Sequence, residues 1–164
     1  MKKYITYGKG NKLDINKLPP LSELDLRPNG INKVYRTLWG SPVDAEYGWK
    51  AWCLDNEFNL EALSENNSFC WTLKPTARIL TISNEDDLAK VPFTRNKMAL
   101  LHNPDYFSTY IDYYKIVAKS YDAVELEDGV IGHRFSSPEE ICFNSWDCES
   151  IMVLNRDAIV PCED

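Results

Sequence analysis

The chain has 164 residues, 44% of them apolar and 26% charged, with a net charge of −7. Those figures fit one folded domain, residues 1–164, with a substantial core, and they exclude a disordered or low-complexity chain. The negative balance argues against a broad electrostatic grip on nucleic acid, although Lys2, Lys3, Lys9, Lys12 and Lys17 concentrate near the N-terminus.

No apolar run is long enough to span a membrane, and MKKYITYG lacks the apolar stretch of a secretion signal. The cysteines, at 53, 70, 142, 148 and 162, are odd in number and form no CxxC. Free thiols in a reducing cytoplasm are therefore expected, and a bound metal is not. His102 and His133 stand in no recognisable nucleophile context and read as solvated loop residues.

In chain order, KYITY (3–7) alternates β-branched and aromatic residues and predicts a strand, which GKGN breaks. Residues 11–33, rich in Pro, Asn and Asp, read as a long loop with one turn of helix. VYRTLW (34–39) predicts a second strand, stopped by Gly40. Ser41 then suits an N-cap, Pro42 a first helical position and Asp44 the end of a capping box, which predicts a helix over 42–56. Ala45, Trp49, Trp52 and Cys53 would form its apolar stripe, with both tryptophans in the core.

FCWTL (69–73) and ARILTI (77–82) predict strands joined by a tight KPT connection, and Ser83 suits the cap of a short helix over NEDDLAKV. Residues 92–104 read as irregular. The spacing of Phe107, Tyr110, Ile111, Tyr114, Val117 and Ala118 predicts a helix within 104–120, with Asp112 as an alternative start and cap. DAVEL (122–126) predicts a strand, 129–140 a loop, ESIMVL (149–154) a strand, NRD a turn and AIVP a last short strand. The result is an α+β domain without regular βαβ alternation, and without GxGxxG or GxxxxGK[ST].

The stretch SWDCES puts Asp147 and Glu149 one residue apart at the mouth of an apolar run. If the strand starts that early, both carboxylates face one side. They are then either a solvated strand end or the acidic corner of a site.

Three segments stand out together: YITYGKGN, TLWGSPVDAEYGWKAW and FNSWDCESIMVLNRDAIV. Their order resembles the ADP-ribosyltransferase family, whose members carry a binding residue on a first strand, an aromatic or serine-centred second motif and a glutamate at a third strand. KPTARILTI, DDLAKV and IDYYKIVAKSYDAVEL also resemble the middle of small bacterial and phage members. The resemblance implies a split, twisted mixed β-sheet with two or three flanking helices, and NAD+ held in the cleft between the halves. It implies that nicotinamide leaves and ADP-ribose moves to a macromolecular acceptor, a protein side chain or a nucleic-acid base.

On that resemblance Glu149 would stabilise the ribosyl cation and Asp147 would orient or deprotonate the acceptor. Trp39 and Tyr47 would stack on the nicotinamide or its ribose, Ser41 would support Glu149, and Tyr7 and Gly8 would meet the NAD+ ribose. The first motif departs from the family's His or Arg, with Tyr7 or Thr6 at the matching position. The third is Asp-x-Glu rather than Gln-x-Glu or Glu-x-Glu. The implied settings are a toxin, phage-defence or counter-defence protein, with an antitoxin or inhibitor as a further partner. A NAD+ glycohydrolase and a non-catalytic interaction module are the alternatives on the same fold.

Overall fold

A computed structural model describes residues 1–28, 32–97, 107–131, 134–135, 141–143 and 146–162. The early strands are β1 (Lys3–Tyr7), β2 (Leu38–Pro42), β3 (Ser68–Leu73), β4 (Ile79–Ile82), β5 (Phe93–Lys97) and β6 (Phe107–Ile111). Then come β7 (Ala123–Leu126), β8 (Arg134–Phe135), β9 (Ile141–Cys142), β10 (Ser150–Val153) and β11 (Ile159–Pro161). Among the described residues the α-helices are α1 (Trp49–Asp55) and α2 (Tyr113–Ala118), with several single 3-10 turns.

Seven strands make one mixed sheet in the order β11-β3-β1-β2-β10-β7-β4, and β5-β6 and β8-β9 are separate two-stranded ribbons. Only the β4–β7 pair of the large sheet is parallel. The fold class is therefore α+β, as expected. Apolar layers bury both faces around β7 and β10. Ile151 and Val153 pack with Tyr4 and Trp71 on one side, while Met152 and Leu154 pack with Val124, Leu126 and Trp146 on the other. A strand covered on both faces has no polar alternation, which accounts for the unbroken run IMVL.

At β2 the sheet changes hands. Leu38, Trp39 and Gly40 pair with Val153, Met152 and Ile151 of β10. Ser41 and Pro42 instead pair with Ile5 and Tyr4 of β1. Beside that switch Thr6 donates its hydroxyl to the Trp39 carbonyl at 2.5 Å and accepts the Trp71 indole N–H at 2.9 Å. Trp71, fully buried, packs against Gly40; a Cβ there would stand 2.8 Å from the indole and 3.0 Å from the Ile5 carbonyl oxygen.

Several sequence expectations are corrected. Gly40 does not stop the second strand, because the strand gains a new partner there and runs on to Pro42. The helix expected over 42–56 begins only at Trp49, since Ser41 and Pro42 are held in β2. β3 and β4 are not neighbours: Lys74 N–H bonds the Ala158 carbonyl and Arg78 N–H the Asp122 carboxylate, so the connection crosses to the far edge of the sheet. Asn84, not Ser83, caps the turn over Glu85–Lys90, accepting from the Asp86 and Asp87 amides. Residues 93–97 and 107–111 form β5 and β6 rather than an irregular stretch and the start of a helix. α2 starts after Asp112, whose carboxylate caps Lys115, in line with the alternative start. His102 and His133 lie outside the described residues.

Gly40→Ala forces a methyl group against backbone and a locked indole. We expect it to lower stability by about 1–3 kcal/mol, read as a fall in the urea midpoint at unchanged slope.

Candidate functional site

The three segments singled out in the sequence become neighbours, because β1, β2 and β10 are adjacent in the sheet. A cavity of about 790 Å³ opens there, between the C-terminal end of β1, the first half of β2 and the approach to β10. Tyr7, Gly8, Trp39, Ser41 and Asp147 line it; Tyr47 and Glu149 are not among its lining residues.

Tyr7, half-buried, follows Thr6 on β1, and burial raises its phenol above the usual tyrosine range, with Cys70 adding to the effect. Thr6 also lines the cavity, but its hydroxyl is committed on both sides, to Trp39 and to Trp71. Of the two, Tyr7 is the one with a side chain to spend on a ligand. Gly8 turns the chain at φ +76°, and its amide bonds the Asn67 carbonyl at 2.8 Å. A side chain there would meet Ala62 and is disfavoured by the backbone.

Trp39 serves both cavity and core: it lines the cavity and meets Trp146 edge-on at 4.6 Å. The Lys33 ammonium sits over its ring, 4.9 Å from the centroid. Lys33 follows Asn32, a left-handed residue (φ +50°). The Asn32 carbonyl accepts from the Tyr113 hydroxyl at 2.5 Å and from the Trp146 indole at 3.1 Å. Burial pulls the Lys33 ammonium below the ordinary lysine range, and the negative field of Asp147 works the other way.

Ser41 is buried, and its hydroxyl accepts the Trp49 amide at 2.8 Å. It is an N-terminal cap supplied from β2 across the intervening loop rather than from the preceding residue. Its other neighbour is the Cys148 sulfur at 3.8 Å, so its side chain supports α1 and the approach to β10 rather than Glu149. Gly48 allows this approach, since a Cβ there would lie 3.0 Å from the Ser41 Cβ. The Cys148 thiol is pushed up to about 11, chiefly by burial, against hydrogen bonds from Ser41 and Ser150. It is a protonated thiol at neutral pH, unsuited to nucleophilic attack.

The acidic pair divides. β10 begins only at Ser150, and Cys148 and Glu149 form a bend. Strand alternation therefore does not apply to Asp147 and Glu149, and they do not share a face. Asp147 lines the cavity. Glu149 accepts from the Asp128 amide at 3.4 Å and lies in the fields of Asp128, Lys2 and Glu127, outside the cavity. Its own amide bonds the Tyr47 carbonyl at 3.2 Å, and the Tyr47 hydroxyl turns to Asp55.

Comparison with protein-family models, curated proteins and solved structures finds no match.

The lining also includes residues that the sequence did not assign to a site: Lys33, Arg36, Trp49, Cys148 and Ser150, with Lys9, Lys12 and Lys17 from the N-terminal cluster. Trp49 is not core. It is half-buried, stacks on Trp52 at 5.0 Å and meets Phe58 edge-on at 6.0 Å. The pair Gly48-Trp49 was the legible signal, a glycine at the true helix start. Among the described residues no group of three or more His, Cys, Asp or Glu is placed to hold a metal ion, and no helix is long and apolar enough to cross a membrane. Cys53, Cys70, Cys148 and Cys162 are free thiols.

Burial raises the Glu149 carboxyl above its ordinary range, against the Asp128 amide, which lowers it. The folded state thus holds the Glu149 proton more tightly than the unfolded chain, and ionising it costs stability as pH rises. Glu149→Gln should melt no lower than the parent at pH 7, and any advantage should vanish below about pH 4. Thermal melts across pH read this directly. Iodoacetamide near neutral pH should modify half-exposed Cys162 well before Cys148, as followed by mass spectrometry.

Proposed function

We propose that the cavity binds NAD+ and that the chain is a mono-ADP-ribosyltransferase acting on a macromolecule. The observation that carries the reading is convergence. Three segments, far apart in sequence and ordered as in the resembled family, meet around one cavity where β2 passes from β10 to β1. Its volume, about 790 Å³, is ample for a dinucleotide, and its wall mixes aromatic, hydroxyl and charged groups as small-molecule sites do.

In this reading Lys33, over the Trp39 ring, faces the pyrophosphate, and Tyr7 with the bare backbone at Gly8 receives a ribose. The bond from the ribose C1′ to the nicotinamide nitrogen breaks, and its electron pair leaves with neutral nicotinamide. Positive charge then develops on the ribose, and a fixed carboxylate beside it lowers the barrier. Asp147 takes that role, because it is the carboxylate of the acidic pair that lines the cavity. An acceptor N–H or O–H closes the new bond to C1′ and gives its proton to Asp147 or to water. Glu149 holds the loop after β7 through the Asp128 amide. A toxin, phage-defence or counter-defence setting belongs to the same proposal.

The position of Glu149 outside the cavity favours a second reading, a non-catalytic module that binds the dinucleotide without turning it over.

Incubation with NAD+ labelled in its adenylate, in a cell lysate, tests both. Transfer of label should fall about 100-fold or more in Asp147→Asn and persist in Glu149→Gln. The reverse pattern would return catalysis to Glu149. NAD+ bound by calorimetry but unconsumed would establish the module, and free ADP-ribose alone would establish a glycohydrolase.

A further inference from the structure

The cavity is basic in an acidic protein. Its lining holds Lys9, Lys12, Lys17, Lys33 and Arg36 against two carboxylates, Asp14 and Asp147, in a chain whose net charge is −7. The five are not equivalent. Lys33 is half-buried against Trp39, and Lys17 pairs with Asp14 at 3.7 Å. Lys9, Lys12 and Arg36 are exposed, at the mouth rather than the floor. All five come from the one connection between β1 and β2, whose two ends the fold brings to the same cavity.

NAD+ does not account for them. Its two phosphate charges are partly offset by the nicotinamide cation, and Lys33 already faces the interior. Three further exposed cations suit a polyanion that stays outside while the dinucleotide sits inside.

Next to that mouth is an aromatic platform. Trp49 lines the cavity and stacks nearly parallel on Trp52, with an interplanar angle of 16°. Phe58, 48% exposed, closes edge-on against both rings. Two half-buried indoles and the exposed Phe58 ring, beside exposed cations, supply the two halves of a single-strand nucleic-acid site: cations track the phosphates and rings stack the bases, with little sequence preference. An acidic polypeptide would use the cations but has no planar bases for the platform.

We infer that the acceptor is single-stranded nucleic acid, lying along Lys9, Lys12 and Arg36 with a base stacked on the Trp49–Trp52–Phe58 platform. This rests on the transferase reading and names its substrate class, against the lean that the overall charge gives towards protein. In the step itself the ribose C1′ bond to nicotinamide breaks. A base nitrogen or oxygen forms the new bond to C1′, and its proton is released, so that NAD+ and the strand give ADP-ribosylated strand, nicotinamide and H+.

The test uses the full chain and fluorescein-labelled single-stranded DNA and RNA 12-mers of mixed sequence, read by anisotropy, with NAD+ binding followed in parallel by calorimetry. Saturable binding that weakens with rising salt is expected. Lys9→Glu with Lys12→Glu should weaken it tenfold or more, and Trp52→Leu about five- to a hundredfold. Both variants should keep the far-UV circular dichroism of the parent, which reports that they fold. Label from NAD+ should appear on the 12-mer in the parent. NAD+ binding without 12-mer binding, or 12-mer binding untouched by these variants, overturns the acceptor and leaves the transferase reading standing. Equal competition by poly-glutamate at matched charge overturns it in favour of an acidic protein. A 12-mer bound while NAD+ is not overturns both the acceptor role and the transferase reading.

Discussion

The sheet is held at its change of partners by one buried relay. The Trp71 indole donates to Thr6, Thr6 donates to the Trp39 carbonyl, and Gly40 leaves room for the indole between them. Three strands meet in this contact: β3 through Trp71, β1 through Thr6 and β2 through Trp39 and Gly40. A polar chain of this kind is costly if broken, because each buried donor or acceptor would lose its partner without gaining water. Sited at the switch, it lets β2 serve β10 with one half and β1 with the other, and the cavity lies in the angle between them.

Charge is organised around the same place. On the far side, Glu125 is buried and satisfied by Lys2 at 2.9 Å, the Tyr4 hydroxyl at 3.2 Å and Thr81 at 3.4 Å, which ties β1 to β7 and β4. That network consumes Lys2 in structure. Lys9, Lys12 and Lys17, beyond the end of β1, are carried to the cavity instead. Of the N-terminal lysine cluster, Lys2 is thus structural and Lys9, Lys12 and Lys17 stand at the cavity, a division that net charge alone does not reveal.

Elements whose period is local were legible in the sequence: β1, β3, β7 and β10 lie where their alternation or apolar runs put them. What escaped depends on long-range partners. Ser41, Pro42 and Asp44 fit a capping box, yet Ser41 caps α1 from the adjacent strand, across the loop that ends at Gly48. Phe107, Tyr110 and Ile111 satisfy a helical period but are recruited by β5, a partner that the sequence does not advertise. Within the site, Tyr7, Gly8, Trp39, Ser41 and Asp147 were readable because each sits beside a strand end marked by glycine or by the apolar run. A shared face for Asp147 and Glu149 required a strand that includes both, whereas β10 begins at Ser150, one residue after Glu149. Lys33 and Arg36 were not visible at all, since only the turn before β2 brings them to the cavity.

The central claim is that NAD+ occupies the cavity between β1, β2 and β10, and the five tryptophan indoles report on it directly. Titration of 15N-labelled protein with NAD+ should shift the Trp39 and Trp49 indole resonances saturably. Trp71, buried behind Thr6 and committed to it, should hold its position. Trp39 and Trp49 resonances that stay fixed at millimolar NAD+ would contradict the account.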